Sequence, residues 1–132
     1  MGKRAAVAPN LPEARVLAGD DSLEGEELAR AVHALGPEAV VVTGGHREKA
    51  IDVVFDGVRV IELAGPRYAD GAAHGSGCTH SATLAARLAL GDDLEAAARE
   101  AKRVASEAVR DGLRSIGAGA GPVDVFGLAH SR

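Results

Sequence analysis

The sequence predicts an α/β fold in which parallel strands are joined by one antiparallel hairpin, and three observations predict it. Short Ala/Val runs alternate with Ala/Leu-rich stretches of helical period, the pattern of strands packed under helices. An Asp56-Gly57 pair separates two β-rich runs, a short-range hairpin signal. Aromatic residues are only 2% of the chain, so the core must be built from Ala, Val and Leu, which suits Ala-rich helices lying close on Val-rich strands.

The elements follow in order. Arg4 to Ala8 is a short apolar run stopped by Pro9-Asn10, as expected of a buried parallel strand. Leu11 to Leu17 makes one or two helical turns, because Pro12 is tolerated at a helix start and Gly19 stands where a helix stops. Ser22 precedes a second helix, in which Leu28, Ala31, Val32 and Leu35 recur at helical spacing until Gly36-Pro37. Ala39 to Thr43 is a β-branched strand closed by Gly44-Gly45. Ile51–Phe55 and Val58–Leu63 form the hairpin about Asp56-Gly57, where a type I′ turn would place both residues at positive φ. Gly65 to Gly77 is loop and runs straight into an Ala/Leu helix over Cys78–Leu90, stopped at Gly91. Asp92 or Asp93 caps a last long helix whose apolar stripe includes Leu94, Ala97, Ala98, Ala101 and Ala108. Gly117 to Pro122 is a glycine-rich loop before the short apolar run Val123–Phe126.

At 132 residues the chain is expected to form a single domain, 1–132. Fifteen basic against nineteen acidic residues leave a net charge of −4, and the basic residues are scattered, which argues against a nucleic-acid or anionic-membrane surface and for a small-molecule or protein partner. One cysteine excludes an internal disulfide, and Met1 is followed by no apolar run long enough for a signal peptide or membrane span, so the cytoplasm is the expected location.

Chemistry concentrates in Ala73-His74-Gly75-Ser76-Gly77-Cys78-Thr79-His80, a Gly-Ser-Gly turn that opens a helix with the cysteine in its first turn. Free N–H groups at a helix start hold a phosphate or a developing anion, and the same dipole favours a thiolate, so Cys78 can act as base or nucleophile. Equally, a free cysteine is commonly a small buried hydrophobe. His74, Cys78 and His80 also invite a zinc reading, weakened because His74 precedes the helix, His80 lies two residues beyond Cys78, and no fourth ligand is at hand. Asn10 and Glu13, at the carboxyl end of a parallel strand, can hold Mg²⁺ directly or through water beside a phosphate, or can be simply a turn and a helix start. Thr43-Gly44-Gly45-His46 ends another strand at the same expected edge of the sheet, where a ligand could approach its backbone. Asp52 and Asp56 have no spaced carboxylate partner and read as structural.

Taken together, Ala8-Pro9-Asn10-Leu11-Pro12-Glu13-Ala14, Val40-Val41-Val42-Thr43-Gly44-Gly45-His46, Asp52-Val53-Val54-Phe55-Asp56-Gly57 and His74-Gly75-Ser76-Gly77-Cys78-Thr79 resemble the hydroxymethylpyrimidine/phosphomethylpyrimidine kinases of thiamine biosynthesis, in the ribokinase-like superfamily. The ending Gly119-Ala120-Gly121-Pro122-Val123 is similar too. The resemblance implies a three-layer α/β/α fold and ATP-dependent phosphorylation of hydroxymethylpyrimidine or its phosphate. It implies that Cys78 helps deprotonate the attacking hydroxyl, and that the amides of Gly75, Ser76, Gly77 and Cys78 form an anion hole for the transferring phosphoryl group. Asn10 and Glu13 would organise Mg²⁺, while Thr43 and Gly45 would line the ATP site. Members of the family are about twice as long and this chain resembles their C-terminal, nucleotide-binding half. The resemblance therefore implies a homo-oligomer or a complementing N-terminal half that completes the substrate site; the alternative is a non-catalytic Mg-ATP-binding or regulatory domain.

Overall fold

The computed structural model describes residues 5–44, 50–66, 68, 73–119 and 121–128. The chain divides into two compact units, Met1–Ala64 and Gly65–Arg132.

The first unit is built on a sheet of order β1-β2-β3-β4. Strand β1 (Ala6–Val7) pairs in parallel with β2 (Ala39–Val42), as expected, with Ala6 opposite Ala39 and Val7 opposite Val40. The crossover between them carries helices α1 (Leu11–Ala18) and α2 (Gly25–His33). Helix α1 has a built start and stop: Asn10 caps it, Pro12 lies in its first turn, and Gly19 ends it at φ 71°, a left-handed conformation suited to glycine. Ser22 does not cap α2 as the sequence suggests. Its N–H and hydroxyl both donate to Asp20 Oδ1, at 2.8 and 2.6 Å, and the helix starts three residues later behind Glu24, with no side-chain cap.

Strand β3 (Ala50–Phe55) runs antiparallel to β2, with Val41 opposite Val54. It neighbours β4 (Val60–Gly65) through a four-residue connection far too short for a parallel crossover. The hairpin is where the sequence placed it, but its turn is not type I′. Gly57 is at φ 94° and no residue other than glycine has positive φ among the described residues. Asp56 and Arg59, the residues next to the two strands, are joined by an N–H to carbonyl bond of 3.3 Å, and the Asp56 carboxylate accepts the N–H of Val58 and of Arg59 at 2.8 and 2.6 Å. Glycine stands at the first central position, which shifts the turn by one residue.

Val40, Val42, Val53 and Phe55 form one core with Ala14, Leu28, Ala29 and Val32 of the helices. Val41 and Val54 alternate to the opposite face and are also buried.

The second unit pairs α3 (Ser76–Ala89) with α4 (Leu94–Arg110). Their connection turns at Gly91. Asp93 caps α4, accepting the N–H of Ala96 at 2.8 Å, whereas Asp92 pairs with Arg87 at 2.6 Å. Ala97, Ala98, Ala101 and Ala108 are buried, and their small side chains let the α4 backbone approach its neighbour closely. Helix α3 begins two residues earlier than the sequence indicates, so Ser76 and Gly77 are its first turn and not the loop before it. Val123–Phe126 forms no strand, and Phe126 is exposed. Among the described residues no helix is long and apolar enough to cross a membrane.

Candidate functional site

The residues that the sequence singles out fall in two groups, one in each unit. In the first unit the groups stand where β1 and β2 end. Asn10 and Thr43 form an isolated parallel bridge that continues the β1-β2 pairing, and the Thr43 N–H donates to the Pro9 carbonyl at 2.9 Å. The two segments expected at one sheet edge are therefore neighbours.

Asn10 and Glu13 form a capping box. Asn10 Oδ1 accepts the Glu13 N–H at 2.9 Å, and Glu13 Oε2 accepts the Asn10 N–H at 3.0 Å. The structural role weighed for this pair is thus real, and it does not use up the carboxylate. Glu13 is exposed and its second oxygen has no protein donor among the described residues, so it can meet a hard cation. The box holds that carboxylate at a fixed place beside the end of β1.

Thr43 leads into Gly44, where the backbone passes so close to β3 that a Cβ would lie 1.9 Å from the Ile51 carbonyl oxygen. The Gly44 N–H donates to the buried Asp52 Oδ1 at 3.1 Å. Gly45, the other residue assigned to the strand-end turn, lies outside the described residues.

The second unit supplies the start of α3. Gly75 is its N-cap at φ 92°, a conformation that favours glycine, and its carbonyl accepts both the N–H of Thr79 at 3.0 Å and the Thr79 hydroxyl at 2.9 Å. The Ser76 N–H donates to the Ala73 carbonyl at 3.1 Å. Among the described residues no acceptor meets the N–H of Gly75, Gly77 or Cys78. Of the four amides expected to face an anion, one is therefore already engaged and three are open. No acidic side chain lies in the first turn of α3 to oppose an anion there.

Cys78 is exposed, which removes the reading of it as a small core residue. Its thiol stands on the same turn as the open amides. His80 is buried, so Cys78 and His80 occupy opposite environments, and among the described residues no three His, Cys, Asp or Glu side chains are grouped to hold a metal. The zinc reading has no geometry behind it.

Sequence reasoning missed two supports. The segment before α3 is braced by the C-terminal loop: His74 bridges Pro122, the His74 N–H donates to the Gly121 carbonyl, and the Val123 N–H donates back to His74 at 3.0 Å. Almost fifty residues separate these partners, so no local signal reveals the contact. Asp52 reads as structural from the sequence, although a carboxylate inside an apolar run is itself an anomaly that asks for a partner.

Comparison with known proteins places this architecture. A family model described as phosphomethylpyrimidine kinase matches residues 2–124. The hydroxymethylpyrimidine/phosphomethylpyrimidine kinase of Rhizobium meliloti is 41% identical over 128 residues, which cover 91% of this chain and 48% of that protein. Among solved structures, the ADP complex of Bacillus subtilis pyridoxal kinase superposes with a TM-score of 0.84 at 35% identity, covering 94% of this chain and 49% of that one. A sulfate complex of a pyrophosphate-dependent kinase in the ribokinase family, at 22% identity and a TM-score of 0.69 over 94% of this chain and 39% of that one, shares the fold. The chain spans half or less of the length of the curated relatives it matches. With the fold, the Asn10–Glu13 box and the open start of α3 in view, the chain belongs to the phosphomethylpyrimidine kinase family, on a ribokinase-like α/β fold.

Proposed function

We propose that this chain is the nucleotide-binding half of a cytoplasmic kinase that transfers the γ-phosphoryl group of ATP to hydroxymethylpyrimidine or its phosphate in thiamine biosynthesis. The observation that carries the reading is the start of α3, where the open amides of Gly75, Gly77 and Cys78 and an exposed thiol share one turn.

The open amides would hold the transferring phosphoryl oxygens, and being fixed in a helix start they need no reorganisation as negative charge develops. Cys78 would act as the base and take the proton of the substrate hydroxyl while that oxygen forms its bond to the γ-phosphorus. The bond from phosphorus to the β-phosphate oxygen breaks, and ADP leaves with the electron pair. Thr43 and Gly45 would line the nucleotide. Asn10 and Glu13 suit Mg²⁺, because Glu13 presents one carboxylate oxygen that no donor among the described residues meets. Bound Mg²⁺ would neutralise phosphate charge.

The pyrimidine-binding half would come from an N-terminal polypeptide or a second copy of the chain. In support, β1 is only two residues long and among the described strands pairs on one side only, with β2, leaving an edge to which a further strand can add.

The test exploits Gly77. A Cβ there meets nothing within 4 Å, and α1 already carries a proline at the same second helical position. Gly77→Ala keeps the N–H and should leave Mg-ATP affinity within about twofold, whereas Gly77→Pro deletes it and should weaken affinity at least about tenfold. Equal affinity in the two variants would show that this amide faces no phosphate.

A further inference from the structure

Strand β3 carries a carboxylate among apolar residues: Asp52 stands between Ile51 and Val53-Val54-Phe55, and only 4% of it is exposed. A buried carboxylate persists only where donors meet it. One such donor is the N–H of Gly44, on the segment that follows Thr43. From the other direction the same segment is pressed against β3, since Gly44 leaves no room for a Cβ beside the Ile51 carbonyl. The backbone just after β2 is thus held twice, by close approach and by a hydrogen bond of 3.1 Å. Nothing in the sheet pairing requires a carboxylate at this position, because the register from Val40–Phe55 to Val42–Val53 is made by backbone alone.

We propose that Asp52 is a positioning residue. Its buried carboxylate anchors Gly44 and thereby sets the place of Thr43 at the nucleotide, without touching the nucleotide itself. The inference rests on the reading of Thr43 as part of the nucleotide site.

The test compares Asp52→Asn, Asp52→Ala and Asp52→Glu in the full chain, with Asp56→Ala in the turn just past the same strand as a purely structural control. Two quantities are read on folded protein: hydrogen exchange of the Gly44 amide by NMR, and the dissociation constant for Mg-ATP. Asparagine retains an oxygen acceptor, so Asp52→Asn should stay within about twofold of the unmodified chain in both. Asp52→Ala removes the acceptor and should speed Gly44 exchange and weaken Mg-ATP at least about tenfold. Asp56→Ala should lower stability and move neither. If Asp52→Ala does not fold, Asp52→Glu carries the test, because the longer side chain displaces the acceptor and should speed Gly44 exchange. Unchanged Gly44 exchange in either folded variant overturns the proposal. So does an Asp52→Asn as impaired as Asp52→Ala, or a loosened Gly44 with Mg-ATP affinity intact. An unmodified chain that binds no Mg-ATP refutes instead the nucleotide reading on which the positioning role depends, and is recognised before any variant is made.

Discussion

Glu13 and Asn10 do two jobs on this account, and the two can be separated by mutation. Asn10→Ala removes the acceptor of the Glu13 N–H and loosens the carboxylate that answers it. Losing an N-cap costs about 0.5–2 kcal/mol; because Glu13 is exposed, water re-satisfies the freed amide, so a cost near 1 kcal/mol is expected. That corresponds to a drop of roughly 3–4 °C in melting temperature for a chain of this size. Glu13→Gln differs in kind. Glutamine can fill the third position of a capping box, so its side-chain oxygen still accepts the Asn10 N–H and stability should change by no more than about 0.5 kcal/mol. The negative charge is gone, however, and the Mg²⁺ concentration that half-saturates nucleotide binding should rise roughly tenfold, as the loss of one charged ligand weakens a hard-cation site. Thermal melts and Mg²⁺ titrations of ATP binding on the same samples give both numbers. A Glu13→Gln chain that melts several degrees lower with unchanged Mg²⁺ dependence would reduce the pair to a helix cap and remove the metal role.

Two further outcomes are expected. Gly44→Ala places a Cβ 1.9 Å from the Ile51 carbonyl oxygen, a backbone atom that cannot swing aside, so the β2-β3 pairing must part locally. A loss of about 3 kcal/mol or more in urea unfolding is expected, at or beyond the upper end of ordinary overpacking, and a loss below 1 kcal/mol would contradict the close approach. The N–H groups of Arg59 and Val58 hold the Asp56 carboxyl below its ordinary value of 3.8. A carboxyl lowered by folding stabilises the folded state above its unfolded value and loses that contribution as pH falls through the depressed one. Urea midpoints taken downward from pH 5 should therefore fall more steeply for the unmodified chain than for Asp56→Asn, and parallel curves would show that the turn bonds carry no net stability.

Much of the fold is legible locally because its signals are local. Asn10, Pro12 and Gly19 mark both ends of α1, and the Val40–Val42 run and the Asp56-Gly57 pair mark strand and hairpin without reference to the rest of the chain. The errors fall where two local solutions compete. Ser22 is a good cap by type, but Asp20 two residues earlier captures its donors first. Asp56-Gly57 fits a type I′ turn by composition, yet the Asp56 carboxylate gathers two amides while its backbone stays out of the left-handed region. Serine and glycine are poor helix formers, so α3 reads as starting at Cys78, whereas Gly75 caps it and Ser76 and Gly77 form its first turn. At the site, the residue types and spacing of Asn10 and Glu13 mark a helix cap and those of Gly75–Cys78 a helix start, and the structure contains both. Long-range support was not legible: the brace of Pro122 on His74 and the grip of Asp52 on Gly44 depend on contacts that strand pairing and chain return create.

The central claim is that the start of α3 performs phosphoryl transfer, with Cys78 receiving the hydroxyl proton. It is tested most directly by following ATP-dependent phosphorylation of hydroxymethylpyrimidine phosphate, with Mg²⁺, by the purified chain alone and in mixture with a separately supplied N-terminal half of a family kinase, beside Cys78→Ala under the same conditions. Product is expected from at least one of these preparations. Turnover should be reduced about a hundredfold or more in Cys78→Ala with ATP affinity within about twofold, because a base acts in the transition state and contributes little to ground-state binding. Equal turnover in the variant, or a loss confined to ATP binding, would contradict the role of Cys78, and absence of product from every preparation would leave a nucleotide-binding domain without transfer.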